Sequence, residues 1–225
     1  MTGTVLSWSG GKDAARALHE LRDRGADVDA LLTTIGAETG RSSMHGVHRS
    51  LYERQAAALD EALQIVELPP APDNDTYETV MATVVEEHVE AGVERMAFAD
   101  LFLEDVREYR EERLAGTGLE PCFPIWGRDT AATAEAFIDD GYQATVVAVD
   151  ADLLDATVVG RPFDHAFLDA LPEAVDPCGE HGSFHTFVHD GPIFDEPVPV
   201  EVGDVETRPV GDGEFHYADL LLADR

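Results

Sequence analysis

The alternation of strand-like and helix-like segments over the first 150 residues is the feature that most limits the folds open to this chain. Short apolar runs bounded by turn residues predict strands, and the segments between them carry apolar residues at helical spacing. This alternation favours βαβ units, in which strands lie parallel and helices cover both faces of the sheet. Strands are predicted at 4–8, 28–35, 64–68, 95–99, 121–125 and 145–149, and helices at 13–24, 47–63, 75–90, 104–114 and 129–140.

Two local details sharpen these predictions. The run at 145–149 is typical of a buried parallel strand, because it is apolar throughout and does not alternate. Asp75 is predicted to cap the third helix, with Glu78 three residues later completing a capping box.

After Asp150 the regular alternation of predicted strands and helices ends. Residues 151–174 predict a loop and a short helix, and strands are predicted at 183–189, 198–205 and 215–222. The chain is therefore predicted to be an α/β protein with a doubly wound parallel sheet over residues 1–150. A smaller mixed α+β domain is predicted over residues 151–225.

The charge balance excludes several kinds of partner. Fifteen Lys+Arg face 46 Asp+Glu, which gives a formal net charge of −31. Such a surface repels phosphate backbones and anionic lipid, so neither general nucleic-acid binding nor membrane attachment is expected. A salt-rich cytoplasm, as in a halophile, would screen this charge. A protein that mimics DNA is the open alternative, although the acids are spread along the chain and not concentrated in a block.

Cysteine usage and hydropathy favour a cytoplasmic protein. Only Cys122 and Cys178 occur, without a CxxC motif, which fits a reducing compartment. No basic segment followed by an apolar stretch opens the chain, and no apolar run approaches 18 residues. We therefore expect neither a signal peptide nor a membrane span.

The segment SWSGGKD at 7–13 lies between the first predicted strand and the first predicted helix. In a doubly wound sheet, ligands bind beyond the carboxyl ends of the strands. A Gly-Gly turn there lets the backbone approach a phosphate, and the N–H groups and dipole of the following helix favour an anion. The segment is neither a Walker A loop nor a GxGxxG motif.

Lys12 in this segment is the chain's only lysine, since the other 14 cations are arginine. Lysine binds phosphate as a compact point charge, whereas the planar guanidinium of arginine demands a different geometry. A glycine turn with a surface lysine is the alternative interpretation. The position of the one lysine in the one phosphate-cradle-like loop favours a phosphate site.

This segment resembles the PP-loop, SGGxDS, of the ATP pyrophosphatases, which cleave ATP between its α and β phosphates. Three later segments resemble the family that contains diphthine–ammonia ligase, and the resemblance runs in order from about residue 3 to residue 194. These segments are ADLFLED at 99–105 with Arg107, PIWGRDT at 124–130 and DPCGEHGSFHTFV at 176–188.

The resemblance implies an adenine-nucleotide-hydrolase-like domain with a five-stranded parallel sheet. It also implies a reaction in which a substrate carboxylate attacks the α-phosphorus of ATP, pyrophosphate leaves, and ammonia displaces AMP from the acyl adenylate. The departing pyrophosphate needs its charge neutralised by the loop N–H groups, by Lys12 and by Mg²⁺. The implied acceptor is diphthine on elongation factor 2, and a homodimer is an open alternative to a monomer.

The same resemblance supplies the candidate site residues, with Gly182 and Thr186 on the substrate side. The candidate catalytic residues are Lys12, Asp13, Asp100, Glu104, Glu180 and His185. The candidate nucleotide-binding residues are Ser7, Ser9, Gly10, Gly11, Lys12, Asp13, Thr33, Met44, His45 and Arg128. The candidate Mg²⁺ ligands are Asp13 and Asp100; acids that begin a helix and complement its dipole are the alternative interpretation of Asp100 and Glu104.

Three departures from the family pattern bear on the substrate and on turnover. The last serine of the loop motif is Ala14, and the usual lysine of the WGKDT-like segment is Arg128. The Met44–His45–Gly46–Val47 segment resembles a related branch with no assigned substrate. Two alternatives follow: the same chemistry on another substrate, or a nucleotide sensor without turnover.

The cluster of Cys178, His181, His185 and His189 is not expected to bind zinc. The segment predicts a strand, in which His185 and His189 share a face but lie about two repeats apart. Trp126 fits either stacking on the adenine or packing in the core.

Overall fold

A computed structural model describes residues 3–211 and 213–223. Within these residues the first part of the chain alternates strands and helices, as predicted. Its elements are β1 (Gly3–Ser7), α1 (Lys12–Asp23), β2 (Asp27–Gly36), α2 (Arg49–Ala58), β3 (Leu63–Leu68), α3 (Asn74–Glu90), β4 (Val93–Ala97), α4 (Glu104–Leu114), β5 (Glu120–Cys122) and α5 (Thr130–Asp139). The later part contains β6 (Gln143–Asp150), a 3₁₀ turn (Ala156–Val158), α6 (His165–Asp169), β7 (Phe184–Asp190), β8 (Val200–Val210) and β9 (Gly213–Leu222).

Two sheets divide the strands and confirm the predicted fold class. Strands β1 to β5 form an all-parallel sheet in the order β3-β2-β1-β4-β5. Strands β6 to β9 form an antiparallel sheet in the order β7-β6-β9-β8. Because the chain leaves β1 toward β2 on one side and later enters β4 on the other, the strand order reverses between β1 and β4. Ligands bind at such a point, outside the carboxyl ends of the strands.

The interpretation of 145–149 as a parallel strand is wrong. This segment is β6, which pairs antiparallel with β7 and with β9 in the second sheet. All of its residues from Ala144 to Val149 are buried, because β6 lies inside its sheet and is covered on both faces. An inner antiparallel strand covered in this way has the same apolar sequence as a parallel one. The domain boundary at residue 150 stays a prediction; the change of sheet falls between Cys122 and Gln143.

Several element ends differ from the prediction. Helix α2 covers Arg49–Ala58, which is shorter than the predicted 47–63. The chain turns at Asp60, which has a φ of 54°. Helix α3 is capped by Asp73, whose carboxylate accepts a hydrogen bond from the Thr76 N–H at 2.9 Å. The predicted cap, Asp75, lies inside the first turn, where its charge still complements the helix dipole.

One hydrophobic core joins the two sheets. It contains the buried faces of α1 and α2 together with side chains of β6 and β7, such as Leu18, Leu51, Val147 and Phe187. A smaller core lies on the other face of the parallel sheet, under α3 and α4. The antiparallel sheet therefore packs against the α1–α2 side, where the loop at 7–13 emerges. In the described part of the chain, no helix has both the length and the apolar character that crossing a membrane requires.

Candidate functional site

The loop between β1 and α1 forms a sharp turn at the carboxyl end of the central strand. Gly10 has a φ of +74°, a conformation that favours glycine. Gly11 is the residue before the first turn of α1, and no side chain caps that turn. The N-terminus of α1 therefore lies where the strand order reverses, as the sequence predicts for a phosphate site.

Strand β7 of the second sheet holds this loop. The Val188 N–H donates to the Gly10 carbonyl at 2.9 Å, and the Lys12 N–H donates to the Thr186 hydroxyl at 3.1 Å. A side chain on Gly11 would meet the Thr186 carbonyl at 3.1 Å. The loop that precedes α1 is thus shaped by residues more than 170 positions away in the sequence.

The Lys12 side chain is buried between the loop and the second sheet. Its ammonium donates to the Asp13 carboxylate at 2.6 Å and to the Cys178 carbonyl. It also lies 5.5 Å from the centre of the Phe184 ring, within cation–π range. Burial alone would lower the pKa of Lys12, but Asp13 and other acidic groups around it outweigh this effect and raise the pKa. Lys12 therefore keeps its positive charge beneath the loop.

Asp13 fits the carboxylate ligand of a magnesium ion. Burial raises the pKa of Asp13, and the neighbouring Lys12 opposes that rise. One carboxylate oxygen pairs with Lys12, while the other is buried without a hydrogen-bond partner. Mg²⁺ is commonly bound through one or two carboxylates together with substrate phosphates. Among the described residues, no group of three or more His, Cys, Asp or Glu side chains is arranged to hold a metal by itself.

A cleft of about 960 Å³ opens beside the loop at the carboxyl ends of β1, β2 and β4. One end is polar and includes the Tyr52 hydroxyl, which donates to the Ser42 hydroxyl at 2.8 Å. The other end runs between α3 and α4 and is lined by both apolar and charged side chains, among them Glu78, Arg110 and Arg113. Five of the predicted nucleotide-binding residues line the polar end: Ser7, Ser9, Thr33, Met44 and His45.

His45, in the segment between β2 and α2, contacts His185 of β7, with ring centres 4.4 Å apart. Burial, then His185 and Lys12, hold the pKa of His45 well below its usual value. Burial and Lys12 lower the pKa of His185 to about 4. Both rings are therefore neutral at pH 7. The His185 Nε2 atom is buried without a hydrogen-bond partner, so it can still receive or donate one hydrogen bond.

Glu180 joins the loop at 176–182 to the segment that follows β4. Its carboxylate accepts hydrogen bonds from the backbone N–H groups of Leu101 at 2.7 Å and Phe102 at 3.3 Å. Burial raises the pKa of the Glu180 carboxyl, although these two bonds oppose the rise. In this arrangement Glu180 positions the β4–α4 connection.

The structure places Asp100 and Glu104 away from a metal-binding arrangement. Asp100 accepts two hydrogen bonds from the Arg110 guanidinium, at 2.6 and 3.1 Å, so both of its oxygens are engaged. Glu104 is exposed at the first turn of α4. Asp100 therefore does not fit the second magnesium ligand that the resemblance implies.

Arg128 lies apart from the phosphate loop. Its guanidinium donates to Glu20, which also pairs with Arg24 at 2.8 Å. Glu20 lies eight residues along α1 from Lys12, which is about 12 Å at 1.5 Å per residue. The structure thus groups Lys12, Asp13, His45, Glu180 and His185 near the loop but leaves Arg128 beside the last turn of α1.

Sequence reasoning missed two polar residues that organise this region. Gln55 enters the core from α2 and contacts the loop; a glutamine on the apolar face of an amphipathic helix was the available signal. Asp176 accepts from the Thr130 hydroxyl at 2.6 Å and from the Cys178 N–H at 2.9 Å, which fixes the turn that presents Glu180. Asp176 opens the segment at 176–188 that carries the family resemblance, and that position was the available signal.

Two comparisons with known proteins agree with the motifs. Residues 129–216 match the family model of the diphthamide synthase C-terminal domain. Diphthine–ammonia ligase of Bos taurus is 30% identical over 140 residues, which are 60% of this chain and 51% of that protein. The chain thus spans about half the length of the curated relative it matches. Both comparisons confirm the resemblance to the diphthine–ammonia ligase family.

Proposed function

Given this relationship to the diphthine–ammonia ligase family, we propose that the chain is an ATP-dependent, AMP- and pyrophosphate-forming amide ligase. It activates a substrate carboxylate as an acyl adenylate, which ammonia then converts to an amide. Diphthine is the acceptor that the relative's name suggests, carried on elongation factor 2 as the motif resemblance implies, and another carboxylate is the alternative.

The observation that carries this proposal is the position of the cleft. It lies where the strand order reverses, and Ser7 at the end of β1 and Ser9 in the loop before α1 form part of its boundary. ATP therefore enters with its phosphates toward the N-terminus of α1, where the dipole and N–H groups favour an anion.

The residues around the loop have distinct roles in this proposal. The Ser9 hydroxyl and the Gly11 N–H bind phosphate oxygens, and Lys12 supplies positive charge from beneath the loop. Asp13 holds Mg²⁺, which neutralises charge on the leaving pyrophosphate. His45 and His185, both neutral, offer hydrogen bonds to the acceptor or to ammonia without repelling an ammonium ion.

A second candidate function is an adenine-nucleotide sensor without turnover. Ala14 replaces the serine that ends the loop motif, and Asp100 is engaged by Arg110. Both features remove groups that would otherwise assist the chemistry.

The proposed site can be tested by replacing Ser9. Ser9→Ala should weaken binding of ATP with Mg²⁺ about tenfold, because a hydroxyl that bonds a charged phosphate is lost. Ser50→Ala, which removes a hydroxyl bonded to His48 at the start of α2, is the matched control and should bind ATP as the wild type does. Calorimetric titration measures both. Equal affinity in wild type and Ser9→Ala would place the nucleotide elsewhere.

A further inference from the structure

Gln55 is a buried side chain of α2 whose amide is completely engaged. It has no exposed surface. Its Nε2 donates to the Gly10 carbonyl at 3.0 Å and to the Val188 carbonyl at 2.6 Å. Its Oε1 accepts from the Trp8 indole N–H at 2.8 Å. Because an indole nitrogen can only donate, the oxygen of the amide must face Trp8 and the NH₂ group must face the two carbonyls.

The peptide between Gly10 and Gly11 needs such a partner. Glycine populates positive and negative φ about equally, so a peptide flanked by two glycines can rotate at little cost. One orientation presents an N–H to the cleft, which attracts a phosphate. The opposite orientation presents a carbonyl oxygen, which repels it.

The hydrogen bonds to the Gly10 carbonyl select one of these orientations. Both Gln55 and the Val188 N–H, at 3.0 and 2.9 Å, donate to that oxygen from the side of α2 and β7. Because a trans peptide is planar, its N–H points away from its carbonyl. The Gly11 N–H accordingly points toward the Ser9 hydroxyl, at 3.3 Å, and Ser9 lines the cleft.

We propose that Gln55 is a positioning residue that fixes the Gly10–Gly11 peptide with its N–H toward the phosphates. This inference rests on the proposed function, since it assigns Gln55 a role in binding the pyrophosphate part of ATP. Gln55 itself does not touch the ligand. It acts through the loop, and it also ties the loop to the second sheet.

The test compares binding of pyrophosphate with Mg²⁺ and binding of adenosine, both by calorimetry well below the unfolding temperature. Gln55→Met keeps the length of the side chain and removes both donors. We expect pyrophosphate affinity to fall about tenfold or more, as for a lost bond to a charged group, while adenosine affinity stays the same. Gln55→Leu likewise removes both donors and carries no charge, and it serves as the second variant if Gln55→Met fails to fold.

The control is Tyr142→Phe, which removes a partly buried hydrogen bond between the Tyr142 hydroxyl and the His19 Nδ1 atom, 2.7 Å apart. It should lower the unfolding temperature and leave pyrophosphate affinity unchanged. If the Gln55 variants bind pyrophosphate as the wild type does, or lose adenosine in parallel, the positioning role is wrong and the proposed function stands. If the wild type binds neither pyrophosphate nor ATP, the proposed function and this inference both fail.

Discussion

Lys12 could be recognised from the sequence as a candidate functional residue, but the contacts of its side chain could not. Its uniqueness and its loop identify it as special, and a phosphate contact was the expectation. In the structure, the Lys12 ammonium donates hydrogen bonds to the Asp13 carboxylate and to the carbonyl of Cys178, which is 166 residues away. No local pattern encodes that partner, because it depends on how the second sheet packs. As placed, Lys12 contributes its charge through the loop.

Removing this charge should destabilise the protein. Lys12→Met leaves the partly buried Asp13 carboxylate without a cation, which should cost up to about 3 kcal/mol in free energy of unfolding, because water screens part of the loss. The double variant Lys12→Met/Asp13→Asn removes both charges and should recover much of that loss. Urea unfolding at pH 7 measures four proteins: the wild type, Lys12→Met, Asp13→Asn and the double variant. Losses that simply add would show that the two groups do not interact.

His185 should make stability depend on pH. Its pKa of about 4 in the folded protein lies below the ordinary value of 6.5, so between these values unfolding takes up a proton. The free energy of unfolding therefore falls as the pH drops from about 6.5 to about 4, by at most about 1.4 kcal/mol per pH unit for one proton. His185→Gln should show a shallower slope in this window, measured by urea unfolding. Since other titrating groups are common to both proteins, identical slopes would contradict the low pKa.

Among the secondary-structure elements, the strand–helix order and the first loop could be predicted from sequence, and the partner of β6 could not. Periodicity reports whether a segment is buried, and β6 is buried from Ala144 to Val149. It does not report strand direction, which depends on contacts with β7 and β9. The loop at 7–13 could be located from its own residues and from its place between a strand and a helix. Its hydrogen bonds to Thr186 and Val188 could not be predicted, because they depend on how the second sheet packs against it.

The packing of the loop against α2 and β7 makes a prediction about Gly10. Gly10→Ala combines a positive φ with a methyl group placed 2.9 Å from Gln55 and Tyr52 atoms and 3.2 Å from Phe187. Backbone strain of about 1–2 kcal/mol and overpacking of about 1–3 kcal/mol should add. Gly25→Ala is the matched control, since its φ is +67° and nothing lies within 4 Å of the added methyl. Gly25→Ala should lower the free energy of unfolding only by the cost of the backbone strain. If urea unfolding gave equal losses for Gly10→Ala and Gly25→Ala, the loop would not be packed as described.

Across the whole molecule, the charge of −31 coexists with one continuous core that joins both sheets. Even if each of the 15 cations paired with a different acid, 31 of the 46 carboxylates would have no cationic partner. Burial of the core stabilises the folded state, whereas repulsion among the surface carboxylates destabilises it. Composition alone could predict this opposition, but not that the second sheet packs on the α1–α2 side and completes the loop.

Salt should therefore stabilise the protein through screening. The unfolding temperature is expected to rise with KCl, by about 2–4 °C for each kcal/mol gained. Most of the rise should come below about 1 M, because the Debye length shortens from about 10 Å at 0.1 M to about 3 Å at 1 M. Calorimetric scans across KCl concentrations measure it. A flat profile would contradict salt adaptation, and a rise only at multimolar salt would indicate surface exclusion of the salt instead.

The most direct test of the proposed ligase is product analysis after incubation with ATP, Mg²⁺ and ammonium, with and without diphthine-bearing elongation factor 2 or other carboxylic acids. The account predicts AMP and pyrophosphate in equal amounts, formed only when an acceptor carboxylate is present, and strongly reduced in Ser9→Ala. ADP and phosphate as products, or tight ATP binding with no AMP on any acceptor, would contradict it.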